Sequence, residues 1–304
     1  MHIKFLLESI VDEKRGNFIK NRFKLINKKM KIKVLLSSLE FPEGPRWRNG
    51  KLFFSDAAAG KVISVDEKGN SDVLVQLRDM SSGIGFLNDG RMLIVSMQNR
   101  HLMRLDPDGL KIHADLSKLT EFPCNDCVTD AYGRTYIGNW GAKSLEVPPD
   151  PTTIIMVTKE GEARVVADNL LFPNGCIVTP DCKTFIVAEQ RGGALIAFDI
   201  EPSGDLTNRR IWAKFEGFDP DGICLDKEGA IWAANPLTNE VLRVIEGGEV
   251  TSKIKIRNTN VYACTLGGED GKTLYLCTNQ LFEGKSGSGR IEYIKVDVPG
   301  VEIP

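Results

Sequence analysis

One pattern recurs six times along this chain and leaves few folds open to it. A tight-turn residue is followed at once by a short apolar or alternating run. The copies are Gly50-Lys51-Leu52-Phe53-Phe54-Ser55, Gly90-Arg91-Met92-Leu93-Ile94-Val95 and Gly133-Arg134-Thr135-Tyr136-Ile137-Gly138. They continue with Cys182-Lys183-Thr184-Phe185-Ile186-Val187, Gly229-Ala230-Ile231-Trp232-Ala233-Ala234 and Gly271-Lys272-Thr273-Leu274-Tyr275-Leu276. The turn positions stand 40, 43, 49, 47 and 42 residues apart. Most units carry a second hairpin, such as Lys61–Asp66 before Lys68-Gly69 and His101–Asp106 before Asp108-Gly109. Short strands separated by Gly, Asp and Asn are hairpin chemistry. Four strands per unit of about 40–50 residues, six times over, predict an all-β chain, a six-bladed β-propeller. A β-sandwich requires no six copies, and no helical stretches stand between the turns to build a βαβ fold.

In a propeller the first strand of each blade lines a central channel, so equivalent positions converge on one axis. Seven or eight residues before the turns stand Glu43, Ser82, Asn125, Asn174, Asp221 and Ala263. Glycine follows Glu43, Asn174 and Asp221, which lets the backbone turn sharply and approach a ligand. Asn-Gly and Asp-Gly are also ordinary turn dipeptides, so it is the shared repeat phase that points to a site. Two carboxylates and two carboxamides at one channel mouth are costly without a counter-charge. One divalent cation removes that cost. All-oxygen donors suit Ca²⁺, Mg²⁺ or Mn²⁺, and Zn²⁺ also accepts carboxylates.

The formal net charge of −2 supplies no field for nucleic acid or an anionic membrane. No run approaches the roughly 20 apolar residues of a membrane helix. A soluble cytoplasmic protein with a small-molecule partner is expected, its oligomeric state left open. The seven cysteines are odd in number and lie mostly within apolar runs, as reduced buried thiols do. Cys124 and Cys127 have the spacing of a zinc half-site or redox pair, but no second such pair or close His pair completes it. Residues 1–33 hold ten Lys/Arg against three acidic residues and lack the apolar core of a secretory signal. They read as a basic appendage (a helical arm, a weak targeting segment, or an extension upstream of a start at Met30) with no catalytic part. The propeller is expected over 34–304.

Several motifs in order carry a resemblance: Phe41-Pro42-Glu43-Gly44-Pro45-Arg46-Trp47, Asn125-Asp126, Phe172-Pro173-Asn174-Gly175, Asp219-Pro220-Asp221-Gly222, Asn235-Pro236 and Leu266-Gly267-Gly268. From Val34 to Val298 the chain resembles the group containing senescence marker protein, gluconolactonase and luciferin-regenerating enzyme. The resemblance implies a divalent metal, Ca²⁺ foremost, held by Glu43, Asn174 and Asp221. It also implies that Asp221 acts as general base and that Asn125 contacts substrate or the water beside the metal. One departure stands out. Pro123-Cys124-Asn125-Asp126-Cys127 replaces Arg-x-Asn-Asp-Gly, so a guanidinium that would bind sugar hydroxyls is missing.

The activity so implied is hydrolysis of a small lactone or related ester by metal-activated water. Tight ligation by Asp221 and its service as a free base compete. His2, His101 and His113 all fall away from the channel phase, which disfavours triad or His-dyad chemistry. Residues closing the second strands return to the same face: Asp56, Gln98, Asn139 and Glu189. Of these, Asn139 and Glu189 are taken as substrate contacts, against the plain alternative of strand caps. The connection from Trp140 through Pro151 reads as a lid or a Pro-stiffened insertion. Two rival functions remain: a condensing enzyme resembling strictosidine synthase, in which Glu189 would matter and the metal would not, and a binding module stapled by Ca²⁺.

Overall fold

Hairpin turns generate the architecture. All six turn residues found in the repeat sit at positive φ, from 55° at Cys182 to 87° at Gly90, and five are glycine. Asp side chains brace several of these turns. Asp130 Oδ1 accepts the Tyr132 and Arg134 amides at 2.9 and 3.0 Å, and Asp226 Oδ1 accepts those of Glu228 and Ala230 at 2.9 and 3.1 Å.

In the computed structural model, which describes residues 31–280 and 285–302, these hairpins form six four-stranded antiparallel sheets. Blade 1 comprises Pro42–Arg48, Lys51–Asp56, Lys61–Asp66 and Ser71–Gln76, and blade 2 Ser81–Phe86, Met92–Ser96, His101–Asp106 and Gly109–Asp115. Blade 3 comprises Cys124–Thr129, Thr135–Asn139, Thr152–Val157 and Ala163–Leu170. Blade 4 comprises Pro173–Val178, Thr184–Glu189, Ala194–Ile200 and Leu206–Lys214. Blade 5 comprises Ile223–Leu225, Ile231–Asn235, Glu240–Val244 and Val250–Lys255. Blade 6 takes Asn260–Gly267, Thr273–Asn279 and Gly289–Lys295 from one end of the chain and its outer strand, Lys33–Leu39, from the other. Val34 there pairs with Glu292. The chain is the six-bladed β-propeller that the repeat predicts. Lys33 already belongs to its sheet, one residue ahead of the expected boundary, and the appendage expected before it lies, up to residue 30, outside the described residues. No described helix is long and apolar enough to cross a membrane.

The core lies between blades. Leu93 and Val95 meet Cys127 and Ile137, while Tyr136 meets Phe185 and Val187; all are buried. Each such side chain contributes about 1.5–3 kcal/mol on burial. Nearer the axis the inner strands approach until a Cβ has no room. A Cβ on Gly83 would lie 2.2 Å from the Cys127 amide nitrogen, one on Gly175 2.6 Å from the Asp221 carbonyl oxygen, and one on Gly222 2.4 Å from the Ala263 Cβ. Five blades also shift register where the inner strand begins: between Glu43 and Arg46, Ser81 and Ile84, Cys124 and Cys127, Pro173 and Cys176, and Val261 and Ala263. Such bulges bend a strand and re-aim its side chains. This one stands at the phase of the six singled-out positions.

Candidate active site

Five of those six positions lie on the inner strands, and Asp221 lies just before the short one of blade 5. Its amide donates to the Ala234 carbonyl at 2.8 Å, and the next amide, of Gly222, donates across to Tyr262 of blade 6 at 2.8 Å. Gln190 links two of the expected ligands. Asn174 Nδ2 donates to Gln190 Oε1 at 3.0 Å, and Gln190 Nε2 donates to Asp221 Oδ2 at 3.3 Å. Asp221 Oδ1 is buried and has no hydrogen-bond partner. Glu43 Oε2 accepts the Gly44 amide at 3.1 Å. Asn125 Oδ1 accepts the Ser82 hydroxyl at 3.5 Å, and its Nδ2 is buried without a partner.

These groups also act on one another electrostatically. Burial, reinforced by the Asp126 charge, pushes the Glu43 carboxyl up to about 8. Burial and then the Glu43 and Asp126 charges push Asp221 well above the ordinary carboxylate range. Burial also raises Asp126, against the pull of Arg46. Tyr262, packed edge-on to Phe41 at 4.7 Å, titrates higher than usual through burial and the neighbouring Asp221 and Glu43 charges.

Three members of this site were missed in the sequence. Gln190 follows Glu189 in a 3₁₀ turn, Gln190–Gly192, and Tyr262 precedes Ala263 on the blade 6 strand. Arg46 is the buried residue after Gly44-Pro45. Its Nη2 meets Asp126 Oδ1 at 2.9 Å and also donates to the Cys127 carbonyl, while Nη1 donates to the Pro45 carbonyl at 2.8 Å. Plain alternation from Glu43 would put Arg46 on the opposite face, and the register shift between them changes this, so the adjacency of Asp126 to Asn125 was the available signal for the pair.

Asn139 and Glu189, expected as substrate contacts, have polar atoms engaged within the protein. Asn139 Nδ2 donates to the Thr153 carbonyl at 2.9 Å, and its Oδ1 accepts from the Thr152 hydroxyl at 2.5 Å and the Gly141 amide at 3.1 Å. Glu189 Oε1 accepts the Leu171 amide at 3.0 Å and Arg209 Nη2 at 3.0 Å. Asp56 similarly accepts the Phe41 amide at 2.7 Å. Asp56 and Glu189 tie second strands to the chain that leads into the inner strand, whereas Asn139 ties its strand to the third strand of blade 3 and the connection before it. Gln98 is exposed. All seven cysteines are buried and free of disulfides, and burial pushes the Cys124 thiol up to about 12.

Among the described residues no three His, Cys, Asp or Glu side chains form a metal cluster. The candidate donors are instead two carboxylates with carboxamides. An orphaned buried oxygen on Asp221, and a carboxyl there whose proton affinity burial and the Glu43 charge raise, fit a hard divalent cation.

Fold and candidate site together define a class: a six-bladed propeller in which acid and amide groups of separate blades stand at the entry to the inner strands. The chain belongs to the SMP-30/gluconolactonase/LRE-like family, whose pattern residues 41–280 match. It is 26% identical over 285 residues to the 6-deoxy-6-sulfogluconolactonase of Pseudomonas putida, covering 86% of this chain and 93% of that one. A luciferin-regenerating enzyme structure shares the fold with a TM-score of 0.79 at 18% identity, covering 90% of this chain and 98% of the other. Regucalcin from Agrobacterium tumefaciens strain C58, a calcium-binding protein, does so with a TM-score of 0.77 at 20% identity, covering 90% and 97%.

Proposed function

We propose that this protein is a lactone hydrolase that opens a small sugar lactone or related cyclic ester with water, and that it needs a divalent cation to do so. Membership of the gluconolactonase family and the activity named for the Pseudomonas relative support lactone hydrolysis. The observation that supports the site assignment is a buried oxygen of Asp221 with no partner, on a carboxyl that also feels the Glu43 charge.

Glu43, Asn174 and Asp221 would hold the cation, Ca²⁺ first, with Mg²⁺, Mn²⁺ or Zn²⁺ as alternatives; when bound it supplies Lewis acidity toward a carbonyl oxygen and a water. Gln190 fixes Asn174 and Asp221 relative to each other through its two hydrogen bonds. In this reading Asp221 accepts a proton as the water oxygen bonds to the lactone carbonyl carbon. The ring C–O bond then breaks and the proton passes to the departing ring oxygen, leaving the hydroxy acid. Asn125 Nδ2 donates to the oxygen on which negative charge develops. Tyr262, packed on Phe41, stands near enough to Glu43 and Asp221 to feel both charges.

The test is hydrolysis of a lactone panel by protein stripped with chelator and resupplied with single cations. Activity should vanish and return. Glu43→Gln and Asp221→Asn should each lower kcat/KM by roughly 100-fold or more with melting profiles retained. Undiminished hydrolysis in chelator and in Glu43→Gln would sink the metal assignment. Cation binding without hydrolysis of any lactone would favour the binding module.

A further inference from the structure

The rim of blade 4 carries a cation whose pairing is incomplete. Gln190 reaches into the site, and the next residue of the same turn, Arg191, stands at the edge. Its guanidinium lies 6.0 Å from the Phe172 ring centroid, and Phe172 stacks on Trp140 at 6.2 Å with planes 14° apart. Phe172 is held at φ 56°, a conformation that costs a bulky residue about 1–2 kcal/mol. Among the described residues Arg191 pairs with Asp219 at 3.9 Å, beyond hydrogen-bond distance, and its side chain is 41% exposed.

The neighbouring cations differ. Arg209 closes on Glu189 at 3.0 Å and on the Asn169 carbonyl at 2.7 Å, and Arg46 is buried against Asp126. Arg191 adjoins Gln190, which bonds Asp221, and its partner Asp219 stands two residues before Asp221, so the guanidinium lies beside the site.

We infer that Arg191 selects lactones bearing a second, anionic group, with the buried Phe172, itself stacked on Trp140, backing its guanidinium. This rests on the lactone-hydrolase reading. A guanidinium presents paired N–H donors that match the oxygens of a sulfonate, phosphate or carboxylate. At an aromatic platform it is partly shielded from water, which strengthens that bond. The substituent must sit away from the ester, since Arg191 is at the rim and the acids are at the centre. Loss of the sugar-binding Arg at Pro123 is consistent with recognition shifted from hydroxyls to a charged group.

Glucono-1,5-lactone and its 6-phospho derivative differ only by the anionic group and serve as probes. Wild-type protein with cation present should favour the phosphorylated lactone in kcat/KM. Arg191→Gln should lower the ratio of the two kcat/KM values roughly 10- to 100-fold, chiefly through KM. Arg191→Lys should restore part of it, and rising salt should erode the wild-type ratio. A wild-type preference for the neutral lactone, or a ratio that Arg191→Gln does not move, overturns the inference and leaves the hydrolase standing. Failure of both lactones and of the wider panel sinks the hydrolase reading, and Arg191's role with it.

Discussion

Two carboxyls at the channel mouth hold protons that a dissolved carboxyl would have lost. Glu43 is raised from 4.5 to about 8 by burial and by Asp126, and Asp221 is raised by burial and by Glu43. The folded chain therefore binds more protons than the unfolded one between those values, so stability falls as pH rises through that window. In chelator the melting temperature should drop from about pH 5 to pH 8, and added Ca²⁺ should raise it more at pH 8 than at pH 5. A flat profile without cation would contradict the crowding of these acids. Arg46 and Asp126 make a separate case. Their buried pair joins residues 80 apart in the chain, so Arg46→Met strands a charge and should cost about 3–5 kcal/mol in denaturant unfolding. Adding Asp126→Asn should recover much of that loss, the signature of coupled neighbours.

At the level of strands, two kinds of glycine do different work. Gly175 has no room: an added Cβ would lie 2.6 Å from the Asp221 carbonyl oxygen, the Gly222 Cα and the Ile223 nitrogen, all backbone. Gly175→Ala should cost about 1–3 kcal/mol in unfolding free energy. By shifting the segment that bears Asp221 it should also lower kcat by roughly tenfold or more, since small misplacements near chemistry are expensive. Gly50 is open to solvent, with nothing within 4 Å of a Cβ, but it sits at φ 75°. Gly50→Ala should cost about 1–2 kcal/mol through conformation alone and leave lactone turnover as it was. Kinetics paired with unfolding curves for the two variants separate space from backbone strain.

For the molecule as a whole, closure of the ring is the decisive event. Lys33–Leu39 completes blade 6, and just beyond it the Glu40 side chain accepts the Ser286 hydroxyl at 2.8 Å and the Gly287 amide at 3.1 Å, while Asn279 donates to its carbonyl. The pairing covers an edge that would otherwise expose a row of free amides and carbonyls. A chain beginning at residue 31 should keep its melting temperature and activity. One beginning at residue 40 should aggregate or melt well below it, as light scattering and calorimetry would register. Equal stability of the two would remove the strand from the account of closure.

The hairpin period is a local property, written in turn residues and alternating strands, and it was enough to give the sheet count, the blade phase and the positions of Glu43, Asn125, Asn174 and Asp221. Register along a strand sets which residues share a ring position, and that needs no knowledge of neighbours. What each side chain does at its position is a different matter. Asn139 and Glu189 hold the expected phase, yet their polar atoms turn to the Thr153 carbonyl and the Leu171 amide, because backbone groups beside the second strands need partners. Arg46 finds Asp126, and Gln190 bridges Asn174 to Asp221, only once the ring has closed and bulges have re-aimed the inner strands. Periodicity determined the scaffold; long-range packing chose the partners, because contacts between blades depend on residues that the local pattern never brings together.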